Sequence, residues 1–221
     1  MGEDFGFIIE KTITYKKERK FMKKNNKGFS LVELIIVIAI MAILAGAIAP
    51  ALIRYIDKSR KSNDVSSAKT IKTAVETALG NEDIYAYLTN NSGKITTITI
   101  APGVATSGEG AKSAAITIAG CTEPTDKSVS SCDDLAKSEI GTNIGEKTPK
   151  LKYKKANKDE KASKCKVEPK KFYALINDKG TVFVLIGGDT APKTIPGADG
   201  KGVGEYTEAY PICPESCGAY Q

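Results

Sequence analysis

Two changes in the hydrophobic pattern divide the chain. From Leu34 to Ala49, sixteen consecutive residues carry neither a charge nor a polar side chain. With Phe29 to Glu33 in front, the run is 21 residues long, which as a helix spans about 31 Å, the depth of a bilayer core. After Pro50 the pattern becomes two-sided. Ile53 and Ile56, then Val65, Ala68, Ile71, Val75, Ala78 and Leu79, recur at helical spacing, while Arg54, Asp57, Lys58, Arg60, Lys61, Lys69 and Lys72 take the other positions. This predicts an amphipathic helix with one stripe to bury. Gly80-Asn81 is its expected stop. Phe29 to Leu79 then reads as one long helix, apolar all round in its first half and amphipathic in its second. Pro50, inside the pattern, predicts a kink or an unwound turn.

Beyond residue 81 the pattern is that of strands and loops. Tyr85 to Leu88 suggests a short helical turn. Lys94–Ile100 and Ala114–Ile118 are β-branched runs, and Leu151-Lys152-Tyr153 is a candidate strand. Phe172–Ile176, Asn177-Asp178-Lys179-Gly180 and Thr181–Ile186 form the clearest hairpin. Its second strand is apolar on both faces, which predicts a central position with the long helix over one side. Gly187 to Gly204, rich in glycine and proline, reads as a long surface loop. The fold class expected is α+β: the long helix on an antiparallel sheet, followed by a loop-rich, cysteine-bearing C-terminal region. The organisation expected is a leader (1–28), an apolar helical half (29–50), an amphipathic half (51–80) and a globular head (81–221).

Charge adds a direction to this layout. Residues 1–28 hold eight Lys or Arg against four Asp or Glu. A basic segment before an apolar run keeps that end cytoplasmic. Met22 is a second candidate start, which leaves 1–21 outside the translated protein; the alternative is an extended leader. An ordinary secretory signal, cut near Ala45-Gly46-Ala47, competes with a retained span. The net charge of the 221 residues is +6, so residues 29–221 carry about +2. No nucleic-acid-binding surface is expected, and the Lys-rich segment 147–171 reads as a solvated loop.

The chain has no His, which removes the commonest general base and metal ligand. It shows neither a G-x-S-x-G elbow nor a phosphate loop, so no enzyme, cofactor or metal is expected. Asp189 and Asp199 offer carboxylates in a flexible loop, but their spacing fits no compact calcium site. Five cysteines, Cys121, Cys132, Cys165, Cys213 and Cys217, all follow the apolar run. Structural disulfides suit an oxidising exterior, and buried reduced thiols are the alternative. The sequence-near pairs are Cys121 with Cys132 and Cys213 with Cys217, leaving Cys165 odd.

Glu33 is the anomaly. A carboxylate entering hydrocarbon costs about 3 kcal/mol on insertion scales, so it requires a partner. Lys27-Gly28-Phe29-Ser30-Leu31-Val32-Glu33-Leu34, with the apolar run behind it, resembles the class III signal of type IV pilins and pseudopilins. The resemblance covers residues 22 to about 56, including Pro50 and Tyr55. It implies cleavage between Gly28 and Phe29 by a prepilin peptidase and N-methylation of Phe29. It also implies that Glu33 pairs with the N-terminal amine of a neighbouring subunit, and that Pro50 is a helix-breaking proline near which the helix unwinds in filaments. The implied partners are copies of itself and other pilins, the peptidase, the assembly platform and its motor. The implied location is the cytoplasmic membrane as a single-pass prepilin, then the extracellular filament. The alternative is a pseudopilin or minor pilin of a type II secretion or DNA-uptake system.

Overall fold

A computed structural model describes residues 28–90, 95–107, 114–122, 131–197 and 202–221. Contacts divide the chain into two units, Met1–Ala47 and Ile48–Gln221. Helix α1 (Leu31–Ala78) contributes to both.

In the first unit every described residue is exposed. In the second, α1 turns one stripe inward: Ala68, Ile71, Val75 and Ala78 are wholly buried. The helical run ends as expected. Gly80 follows it, and Asn81 caps α2 (Glu82–Thr89) by accepting a 3.0 Å hydrogen bond from the Asp83 N–H.

Five antiparallel strands form one sheet: β1 (Thr96–Ile100), β2 (Ile116–Ala119), β3 (Lys171–Ile176), β4 (Val182–Gly187) and β5 (Ala209–Cys213). Their spatial order is β2-β1-β3-β4-β5. The predicted hairpin is β3–β4, with Phe172 opposite Ile186 and Ile176 opposite Val182. Asn177 makes its turn, its side-chain oxygen accepting from the N–H groups of Lys179 and Thr181. Gly180 closes the turn at φ +73°, a left-handed conformation that glycine adopts without steric cost. Both strands are interior; β3, rather than β4, is the middle one.

Side-chain alternation splits the sheet into two apolar layers. Phe172, Ala174, Ile176, Val184 and Ile186 join the α1 stripe, with Ile98 and Ile100 from β1. Leu175, Leu185 and Ala209 lie in a second layer, packed by Ile95, Phe183, Ile195 and Tyr206. Ile195 and Tyr206 come from the connection between β4 and β5, which therefore covers the sheet instead of running free over the surface. Burial pushes the Tyr206 phenol up to about 12, and its hydroxyl donates to the Thr194 carbonyl.

The sequence reading needs correction in two places. Helix α3 (Cys132–Ile144), capped by Ser131 Oγ accepting from the Asp134 N–H, has no counterpart in the sequence reading. Leu151-Lys152-Tyr153 lies in no strand. The N–H groups of Lys152 and Tyr153 go to the two carboxylate oxygens of Asp64 on α1, at 2.7 and 2.8 Å, so a side chain takes the donors a ladder would have used. Pro50 lies inside α1, which is helical on both sides of it.

The cysteines fall into separate neighbourhoods. Cys165, Cys213 and Cys217 are buried free thiols. Cys213 ends β5 near Lys69 and Lys72, whereas Cys217 lies within electrostatic range of Cys165. Burial pushes all three thiols up. Cys121 reaches the Tyr87 hydroxyl, which donates to Asp133 next to Cys132, so these two cysteines approach the same tyrosine.

Candidate assembly segment

The residues singled out by sequence at 28–33 occupy the approach to α1 and its first turn. Ser30 is the last residue before the helix. Its backbone N–H donates to the Glu33 carboxylate at 2.9 Å, and its hydroxyl accepts from the Val32 N–H at 3.3 Å. The Leu34 N–H closes the first helical bond onto the Ser30 carbonyl. This is a variant of the capping box: the Glu33 side chain reaches back three residues to the Ser30 N–H and the Ser30 hydroxyl takes the N–H two residues on, satisfying N–H groups that a helix end leaves without partners. The positive end of the helix dipole favours the carboxylate in the same place. Ser30 was not among the sequence-predicted site residues, although Ser-x-x-Glu before an apolar run is a readable signal for this arrangement.

Phe29 is 85% exposed, and the large side chains that follow, such as Ile36, Met41 and Ile43, are exposed. The helix contains an 18-residue stretch of mean hydropathy 2.9 with none of it buried, long and apolar enough to cross a membrane. Two glycines here serve no need of the chain's own packing. A Cβ added to Gly28 or to Gly46 meets nothing within 4 Å. In the head, by contrast, a Cβ on Gly120 would come within 2.4 Å of the Ile95 carbonyl.

Pro50 and Tyr55 lie further along α1; Tyr55 is 73% exposed. The calcium reading does not assemble: the Lys170 ammonium holds Asp189 at 2.6 Å, and Asp199 lies outside the described residues. So does the basic leader up to Lys27.

The polar group that sequence reasoning missed outright is Asp64, fully buried on α1. Burial pushes its carboxyl above the usual carboxylate range, against the two backbone donors, which favour the charged form. It fastens the segment after Thr148 to the helix. An acid among lysines in an amphipathic pattern carries no mark of burial, so nothing in the sequence distinguished it from Asp57.

The N-terminal region matches the family model described as the prokaryotic N-terminal methylation motif, over residues 23–49. It is 45% identical over 58 residues to the type IV major fimbrial protein FimA of Dichelobacter nodosus, covering 26% of this chain and 37% of that protein. It is 51% identical over 53 residues to fimbrial protein Q of Moraxella bovis, covering 24% and 34%. Over 68 residues it is 35% identical to the type IV major pilin protein PilA of Myxococcus xanthus, covering 31% of each. These relatives are fimbrial and pilin proteins, not enzymes, and the matched stretch spans about a third of their length. No solved structure is significantly similar to the chain.

Proposed function

We propose that this chain, whose N-terminal segment is that of the type IV pilin family, is a prepilin that becomes a structural subunit of a type IV pilus filament. The observation that carries the reading is a helix start with its one carboxylate held ready among fully exposed apolar side chains. The apolar run is the membrane span of the stored subunit and the packing surface of the assembled one. Hydrocarbon and neighbouring helices are the two environments in which such a surface is stable.

The steps follow from the residues. A prepilin peptidase cuts between Gly28 and Phe29. Glycine is required there by the enzyme's approach to the backbone, since the chain itself leaves room for a side chain. The new amine at Phe29 is methylated and faces the Glu33 of a neighbouring subunit. In the stored subunit the Ser30 N–H partly satisfies Glu33; in the filament a cation replaces it as main partner, which a buried carboxylate needs. Gly46 permits close helix approach between subunits. Pro50, which supplies no N–H, is the place where the helix can open on assembly.

Mass spectrometry of sheared surface fibres tests this directly. The expected N-terminus is methylated Phe29; a start near Ala47 or Ala49 supports ordinary signal cleavage instead. Glu33→Ala should leave processing intact and abolish fibres, and fibres at wild-type abundance would overturn the role given to Glu33.

A further inference from the structure

We propose that the lysine-bearing strap Lys152–Lys166 of one subunit docks against the α2–α3 edge of a second copy of this chain. The proposal rests on the filament reading and adds the head-to-head contact that the apolar helix does not provide.

The strap is a loop with exposed lysines, but it does not run free. Its inward positions are fixed: Asp64 holds the backbone at Lys152 and Tyr153, and Ser163 and Cys165 are buried. The Asn157 N–H donates to the Tyr210 hydroxyl at 2.9 Å, and that hydroxyl donates to the Val167 carbonyl at 2.8 Å, tying this stretch to β5. With alternate residues held inward, Lys152 and Lys154, and then Lys164 and Lys166, are forced outward. Neighbouring outward positions in an extended chain lie about 7 Å apart. Seven lysines stand against two acids, Asp159 and Glu160, over these fifteen residues. Three of the lysines have ion pairs within the subunit, Lys155 with Asp57, Lys164 with Glu205 and Lys166 with Glu160. Among the described residues, Lys152, Lys154, Lys158 and Lys161 have none.

The opposite edge of the same sheet carries the opposite sign. Helix α3 packs on β2, the other edge strand, and on α2. Together α2 and α3 hold five acids, Glu82, Asp83, Asp133, Asp134 and Glu139, against the single Lys137. The two helices also carry exposed apolar side chains. Outside residues 29–56, the exposed large apolar side chains among the described residues are Tyr85 and Leu135, at 42% and 37%. One lies on α2 and the other on α3. Tyr85 stands beside the β3–β4 turn at Gly180, and its exposed ring suits the stem and ammonium of a lysine, by packing and by attraction of the cation to the ring face.

Complementary patches on two different edges cannot pair with each other symmetrically. They join head to tail, and a head-to-tail contact that does not close into a ring grows into a helical filament. That is the contact geometry a polymer of one subunit needs.

The test uses fibres assembled from the full chain. A carbodiimide, which joins lysine to carboxylate without a spacer, should convert wild-type fibres into covalent dimers. Peptide mapping should place the link between Lys154, Lys158 or Lys161 and Glu82, Asp83 or Asp134. Reversing the strap (Lys154→Glu, Lys158→Glu, Lys161→Glu) or the edge (Glu82→Lys, Asp83→Lys) should lower fibre yield about fivefold or more, because like charges then face each other. Combining the two reversals should restore most of it, a rescue that misfolding cannot produce. The proposal is overturned if cross-links map elsewhere, or if the combined variant is worse than either parent. It is also overturned if strap reversal spares fibres and removes only binding to heparin, which makes a soluble polyanion the occupant. Failure of the filament reading looks different: wild-type cells then yield no fibres containing this chain.

Discussion

Residues 31–47 and 64–78 belong to one helix, yet they meet opposite fates. In the first stretch no side chain is buried, though nearly every one is apolar. In the second, fewer apolar residues are present and those on one stripe are wholly buried. Backbone geometry is shared, so the difference lies in the partner each face has. The second stretch finds the sheet of its own chain. The first finds nothing among the described residues, and at about 25 cal/mol per Å² of apolar surface that leaves a large driving force for membrane insertion or association. A helix uniformly apolar around its circumference is specified for a surrounding it does not carry with it. A helix with one apolar stripe is specified for its own head.

The comparison can be broken where the head grips the helix. Asp64→Ala leaves the half-buried N–H groups of Lys152 and Tyr153 without their side-chain partner. The expected loss is about 2–6 kcal/mol of head stability, since each unsatisfied buried group costs about 1–3 kcal/mol; chemical denaturation measures it. Next comes a paired substitution. Ile71→Ala should cost the head about 2–5 kcal/mol, the range for truncating a buried aliphatic residue. Ile36→Ala should leave the head transition unchanged while reducing fibre yield. Equal effects of the two on head unfolding would erase the distinction between the stretches.

A smaller effect sharpens the picture at the helix start. Ser30→Ala removes one half of the capping box and should cost about 0.5–2 kcal/mol of local helix stability. Faster amide exchange over Val32–Leu34 in micelles reads this out, with processing at Gly28 unaffected. The smallest effect is a pH dependence. The Asp64 carboxyl is raised in the folded head, so its contribution is fully present below the ordinary value of 3.8 and fades as pH rises through the raised value. Asp64→Asn does not titrate. The stability difference between wild type and this variant should therefore shrink with rising pH across that window, and a difference that grows would show the two N–H donors outweighing burial.

Much of this was readable in the residues. Periodicity located α1 and its two characters, Gly80-Asn81 its end, and Asn177 to Gly180 the hairpin turn. Local chemistry decides these features, within one turn of helix or one strand pair. Helix α3 escaped because Cys132, Ala136 and Ile140 make a narrow stripe among polar residues, and packing on β2 and α2 supplies what propensity lacks. The proposed strand at Leu151–Tyr153 failed for a related reason: an extended run looks the same whether its N–H groups meet a neighbouring strand or a carboxylate.

The assembly segment was almost wholly a matter of sequence. Glu33, Gly28 and the apolar run lie within one short stretch, and the meaning of each depends on what is absent from its surroundings, which a sequence can show. The head was decided by tertiary structure. Asp64 meets residues 88 and 89 positions away, and Cys165 lies within electrostatic range of Cys217. Such pairings depend on which strand lies beside which, a choice made by burial over the whole chain and marked at no single position.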